Sequence, residues 1–256
     1  MRGLPPLPIF INWGSREHSF RSAQDFDRVG RVAEAFADRV RAVTFEGPQV
    51  GIEKIFKAMN TVTRRRLRAL EFLDLYQWGR SSVKFPENFL SRDSASSLKC
   101  LRVRETDLKS LAPLFSSATR LVELSLGSSH KWGPSRVSSF FTHLQRMPCL
   151  CRLEIAKGHP FFPNGLGRMG PHMGPHPLGD SDEPHDLVPP IPVVTFPKLN
   201  TLVYHGPAAH LEGMVGGLYA QFLQHLCINF HSEGTLPPVP HLSRFVRNIA
   251  KPFRTL

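Results

Sequence analysis

A six-residue pattern, apolar-x-x-apolar-x-apolar, returns seven times along the chain. It reads Val40-Val43-Phe45, Leu67-Leu70-Phe72, Leu98-Leu101-Val103, Leu121-Leu124-Leu126, Leu150-Leu153-Ile155, Leu199-Leu202-Tyr204 and Leu223-Leu226-Ile228. In each copy the last two apolar residues stand two apart, the period that sends them to one face of a strand and the residue between them to the other. A unit this short cannot bury its own apolar face, so such units have to stack on one another.

The starts of the copies are separated by 27, 31, 23, 29, 49 and 24 residues. Four of these steps fall inside or close to the roughly 20 to 29 residues of a leucine-rich repeat. The 49-residue step contains Gly165 to Pro192, rich in Gly, Pro and His and without apolar periodicity. It reads as a looped-out, disordered insertion over residues 159–195. The asparagine expected nine positions into each repeat is replaced by Thr106, Ser129, Gly158 and Pro207, which makes the array irregular. The expected fold is therefore α/β: one leucine-rich-repeat solenoid over residues 1–256, with a curved parallel sheet on its concave side and irregular helices on its convex side.

Segments with helical periodicity fall between the strands. Phe26, Val29, Val32, Ala33 and Phe36 follow it, as do Ile52, Ile55, Phe56 and Met59, then Val137, Phe140, Phe141 and Leu144. Pro134 and Pro148 bracket the third of these. Leu242, Phe245, Val246 and Ile249 mark another, and Leu211, Met214, Val215 and Leu218 a weaker one interrupted by glycines. Leu108 to Ala118 is expected to hold only a short helical turn, because Pro113 interrupts it.

Composition narrows the function by exclusion. No apolar run approaches the roughly 20 residues that span a bilayer, and the first residues form no signal-peptide core, so a cytoplasmic or nuclear protein with no membrane partner is expected. Cys100, Cys149, Cys151 and Cys227 lack metal-ligand spacing and read as small residues in or beside strands. The net charge is +11, and Arg64-Arg65-Arg66-Leu67-Arg68 invites thoughts of nucleic acid. Three of those arginines close a predicted helix and no aromatics interleave them, so nucleic acid is not expected as a partner. His172, His176 and His185 lie near Asp180, Asp182, Glu183 and Asp186, but in an open Gly/Pro chain with nothing to fix ligand geometry; no metal is expected. Gly165 to Gly170 fits G-x-G-x-x-G by letter yet follows no strand and opens no helix. No other catalytic motif occurs. Neither enzyme activity nor a cofactor is expected.

The inner face remains, where repeat proteins commonly bind partners. The pattern assigns to it Thr44, Glu46, Glu71, Cys100, Arg102, Arg104, Glu123, Ser125, Arg152, Glu154, Val203, His205, His225, Cys227 and Asn229. The residues expected to contact a protein target are Glu71, Arg102, Arg104, Glu123, Arg152, Glu154, His205, His225 and Asn229. Arg102 and Arg104 form either a fork for a carboxylate or phosphate of the target, or cross-strand pairs with Glu71 and Glu123.

Several stretches carry a family resemblance. They are Phe85-Pro86-Glu87-Asn88-Phe89-Leu90, Ser97 to Val103, Leu111-Ala112-Pro113-Leu114-Phe115-Ser116-Ser117-Ala118-Thr119-Arg120-Leu121-Val122-Glu123-Leu124-Ser125-Leu126, Phe196 to Leu199, His210 to Val215 and Leu223 to Phe230. In their order they resemble the leucine-rich-repeat region of the expanded F-box-like proteins of basidiomycete fungi. That resemblance implies a substrate-recognition subunit of a cullin–RING ubiquitin ligase, in which an F-box binds a Skp-type adaptor and the repeats hold the target. No F-box fits ahead of the repeats, because strand-like Leu4, Leu7, Ile9 and Ile11 begin almost at Met1. Phe253 and Leu256 have the spacing to open another repeat where the sequence stops. The expectation is a truncated or partial recognition domain, with the Skp-type adaptor as a partner only if an F-box is supplied upstream. The alternative is a polyanion-binding or scaffold repeat protein with no ubiquitin role.

Overall fold

Strands pair in chain order. β1 (Ile9–Trp13), β2 (Val40–Pro48), β3 (Phe72–Trp78), β4 (Cys100–Arg104), β5 (Glu123–Ser128), β6 (Arg152–Lys157), β8 (Thr201–Gly206) and β10 (His225–Phe230) form one parallel sheet in that sequence. β7 (Val194–Thr195) and β9 (Leu218–Tyr219) form a separate parallel pair. The computed structural model describes residues 7–13, 28, 30–32, 35–54, 57, 67, 69–78, 85, 96–104, 108–128, 134–157, 193–230 and 240–250.

The register places equivalent apolar residues side by side. Ile11, Val43, Leu73, Leu101, Leu124, Leu153, Leu202 and Leu226 make one row; Trp13, Phe45, Leu75, Val103, Leu126, Ile155, Tyr204 and Ile228 make the next. From β2 to β8 none of these side chains is more than 2% exposed. Rows of this kind arise because the two-residue period turns every second side chain to the same face, and only one register keeps all of them inside. Just before the strands, the carbonyls of Glu71, Lys99, Val122, Cys151 and Asn200 each accept two N–H groups from the next strand's entry, at 2.8–3.0 Å. Backbone polar groups at the strand starts are thereby satisfied even though no side chain is shared between them.

The register corrects one copy of the sequence pattern. On β3 the inward residues are Leu73 and Leu75, preceded by the fully buried Leu70. Phe72, expected inside, lies on the opposite face with Asp74 and Tyr76. The second copy is therefore read from Leu70, three residues later than its sequence suggests, and Leu67 occupies the buried turn before it, where its carbonyl accepts the Leu70 N–H.

Helices lie on one side of the sheet and share a single core with it. α1 (Leu108–Ser117) packs against α2 (Pro134–Leu144), with the Phe115 and Phe140 rings 6.0 Å apart. α3 (Ala208–Val215) packs against α4 (Pro240–Ala250). α1 is a full ten-residue helix, longer than the turn expected around Pro113. A proline inside a helix costs about 3 kcal/mol. Here Leu111, Leu114, Phe115 and Ala118 are at most 1% exposed, and burying each large apolar side chain returns about 1.5–3 kcal/mol. Ser116 Oγ donates to the Pro113 carbonyl at 2.7 Å.

Other expectations shift at the element ends. Leu218, expected on a helix, opens β9, because α3 stops at Val215 and its C-cap is Gly216. Val32 and Phe36, expected inside, are 43% and 41% exposed, while Ala37 is buried; the Arg39 guanidinium covers the Phe36 ring. Val194 and Thr195, the described end of the stretch assigned to an insertion, are extended and paired in β7, with Val194 fully buried. Residues 158–192, and with them the histidines and acids of that stretch, lie outside the described residues. So do Arg64, Arg65, Arg66 and Arg68, Phe26, Val29, Ala33, Ile55, Phe56, Met59, and the positions Thr106, Ser129 and Gly158. No described helix is long and apolar enough to cross a membrane.

Candidate functional site

The face of the sheet turned away from the helices is not covered by any described element. Its side chains form three rows. The first runs Phe10, Ala42, Phe72, Cys100, Glu123, Arg152, Thr201 and His225; the second Asn12, Thr44, Asp74, Arg102, Ser125, Glu154, Val203 and Cys227; the third Glu46, Tyr76, Arg104, Gly127, Ala156, His205 and Asn229. Eight of the nine expected contact residues are among them: Arg102, Arg104, Glu123, Arg152, Glu154, His205, His225 and Asn229.

Glu71 is the exception. It precedes β3 at the sheet's entry edge, where its carboxylate accepts from Arg41 Nη1 at 2.7 Å and from Lys99 Nζ at 2.8 Å. Hydrogen bonding from Lys99 holds its carboxyl below the usual glutamate range, against a smaller opposing effect of burial. The misplacement follows directly from the three-residue slip on β3.

Four charged residues in the middle of the face form a chain. Arg102 donates from Nε and Nη2 to Glu123 Oε1, at 3.1 and 2.9 Å. Arg152 Nε lies 3.6 Å from the same oxygen, a Coulombic contact beyond hydrogen-bond range, and its Nη2 donates to Glu154 Oε2 at 3.1 Å. The Arg102–Arg104 fork is therefore not assembled. Arg102 is committed to Glu123, as the cross-strand alternative has it. Arg104 does not pair with Glu71 but lies over the Tyr76 ring, 5.5 Å from its centroid, while Arg102 covers Phe72 at the same distance. Gly127 makes room for the stem of Arg104: a Cβ there would stand 3.3 Å from Arg104 Cγ.

Sequence reasoning missed Phe72, Asp74 and Tyr76. Asp74 stands out chemically. Burial raises its pKa above the ordinary aspartate value, outweighing the opposing pull of Arg104 and then Arg102. No hydrogen bond from a described residue reaches its carboxylate. Burial, and secondarily the adjacent Glu123 carboxylate, push the Cys100 thiol up to about 12; it is protonated at neutral pH and a poor nucleophile. All four cysteines are free.

At the other end, Asn229 Nδ2 and His205 Nδ1 are 2.9 Å apart. An amide nitrogen only donates, so with this amide orientation Nδ1 accepts and the ring proton sits on Nε2. His205 is only 6% exposed, whereas His225 on the edge strand β10 is open to solvent.

No protein-family profile matches the chain, and no curated protein matches it either.

Proposed function

We propose that this chain is a leucine-rich-repeat solenoid that acts as a non-catalytic protein-interaction module, with the open face of the sheet as its binding surface. One observation carries the reading. Parallel sheets in closed α/β folds have helices on both faces and are buried on both. This eight-stranded parallel sheet turns two apolar rows inward on one face, fully buried from β2 to β8, and charged, aromatic and small residues to the other. A parallel sheet with one face left uncovered by the described elements is what stacking of short strand-and-return units produces, and such arrays bind partners along it.

The face favours a protein over a polyanion as partner. Arg102 and Arg152 spend their hydrogen bonds on Glu123 and Glu154, so the face carries both signs of charge rather than the single-sign stripe that tracks a phosphate backbone. The resemblance to the repeats of F-box-like proteins supports target recognition for a ubiquitin ligase. Co-purification with a Skp-type adaptor tests that role separately.

The test of the interaction reading uses the purified chain as bait. Reversing charges on the face, with Arg152→Glu and Glu154→Lys together, is expected to release a captured protein. Val246→Ser on the exposed side of α4 is expected to retain it. Retention by both variants contradicts the proposal.

A further inference from the structure

Beside Asp74 the open face contains a trough. Its floor is Ala42 and Thr44 on β2, both small and both partly exposed. Across one side Phe10 and Asn12 of β1 stand in register with them; across the other stand Phe72 and Asp74 of β3, with Tyr76 opposite Glu46 just beyond. Adjacent strands are about 4.8 Å apart, so the walls are separated by about 10 Å, wide enough for one extended side chain. Phe10 is 68% exposed although it belongs to the sheet.

The charge of the trough is unlike that of the whole chain. The net charge of the protein is +11, yet the titratable groups that act on Asp74 include the acids Glu46 and Glu123 together with Arg104 and Arg102. Arg102 is already paired with Glu123. Asp74, unlike Glu123, accepts no hydrogen bond from a described residue. Both arginines belong to β4, on one side of β3, and the trough lies over β2, on the other. A partly buried carboxylate without a hydrogen-bonded partner costs free energy that an incoming cation recovers. Aromatic faces next to it add cation–π attraction. A metal ion is the poorer fit, since among the described residues no three His, Cys, Asp or Glu side chains come together.

We infer that this trough receives the side chain of a lysine or arginine from an extended segment of the protein target, paired with Asp74 and flanked by Phe10, Phe72 and Tyr76. The inference rests on the open face being the binding surface, and it adds the chemistry of one subsite. A basic segment approaching a chain of net positive charge gains nothing from long-range attraction, so recognition at this position is local.

The test is a selection of random peptides displayed on phage against the full chain, followed by affinity measurements on synthetic copies. The expected binders carry a lysine or arginine and bind Asp74→Asn at least tenfold more weakly. Thr44→Lys, which places a cation in the trough from the neighbouring strand, is expected to block them while circular dichroism stays unchanged. Its folding guards against the case in which Asp74→Asn disturbs the sheet. Peptides that are weakened by Arg152→Glu with Glu154→Lys but indifferent to Asp74→Asn and Thr44→Lys overturn this subsite and leave the binding face standing. Peptides indifferent to every substitution on the face overturn both.

Discussion

Arg102 on β4 places two hydrogen bonds on a single oxygen of Glu123 on β5, at 3.1 and 2.9 Å. The pair is partly exposed, with side chains 40% and 23% accessible, so its net contribution to stability is small, about 0–1 kcal/mol. Its effect is local. Glu123 fixes where Arg102 points, draws Arg152 to within 3.6 Å, and helps keep the thiol of Cys100 protonated.

Glu123→Gln is accordingly expected to change cysteine chemistry more than stability. In the parent protein, iodoacetamide at pH 8 should label the exposed Cys227 well before Cys100. In the variant the Cys100 thiol loses a neighbouring negative charge and should react faster, while burial still keeps it behind Cys227. Peptide mapping of the labelled sites checks both orders. Equal labelling of Cys100 and Cys227 in the parent contradicts the half-buried placement of Cys100.

Asp74→Asn and Glu71→Gln are expected to move stability in opposite directions at neutral pH. Asp74 has a raised pKa in the folded chain because burial disfavours its charge. The folded state then holds the proton more tightly, and stability falls as pH rises from the ordinary aspartate value through the raised one. The asparagine variant escapes that loss, gains at pH 7, and shows no gain below the ordinary value. Glu71 has a lowered pKa, chiefly from Lys99. Its contribution is present above the ordinary glutamate value and disappears as pH falls through the folded one, so Glu71→Gln loses up to about 1 kcal/mol at pH 7 and nothing in acid. Urea midpoints across pH 2–8 for both variants provide the measurement.

These two residues also mark where the sequence was legible and where it was not. Strand positions repeat clearly, and most of the inward residues follow from them. On β3, Leu67, Leu70 and Leu73 are spaced by three, so two frames fit the pattern equally well. The frame that turns Phe72 inward also turns Asp74 inward, since residues two apart share a face. A charged residue carried into the core was the available signal for the other frame. Choosing wrongly moved Glu71 onto the face and hid Phe72, Asp74 and Tyr76. α1 escaped for a different reason: local propensity at Pro113 is overridden by the burial of Leu111, Leu114 and Phe115, which the local pattern does not weigh. The pairings among the charged residues were legible only in part: Arg102 with Glu123 is one of the cross-strand pairs the sequence offered, whereas Arg104, with Glu71 and Glu123 as candidate partners, lies over Tyr76 instead.

Tyr204 stands in a row filled from β2 to β6 by aliphatic and phenyl side chains, with its hydroxyl donating to the Pro207 carbonyl at 2.8 Å. Burial pushes its pKa far above that of a free tyrosine. Tyr204→Phe keeps the ring and removes the hydrogen bond, leaving the Pro207 carbonyl, among the described residues, the longer 3.4 Å contact from the Leu211 N–H. A loss of about 0.5–1.5 kcal/mol is expected in urea unfolding. An unchanged midpoint means that water satisfies the carbonyl equally well.

Glu212 of α3 fastens the start of α4. Its two carboxylate oxygens accept the N–H groups of His241 and Leu242, at 2.5 and 3.0 Å, and α4 has no acidic residue in its own first turn. Capping of this kind, with negative charge at a helix N-terminus, is worth about 1 kcal/mol. Glu212→Ala should therefore speed amide hydrogen exchange in α4 while exchange in β4, β5 and β6 stays as it was. Uniform acceleration across the sheet contradicts a local fastening.

A protein target is proposed to sit on the open face of the sheet. Carboxyl footprinting with a water-soluble carbodiimide, carried out on the free chain and on its complex with a captured target, measures this directly. Asp74, Glu123 and Glu154 are expected to be protected in the complex, with Glu212 between α3 and α4 labelled to the same extent in both samples. Protection of Glu212 with no change at Asp74, Glu123 and Glu154 contradicts it and places the partner on the helical side.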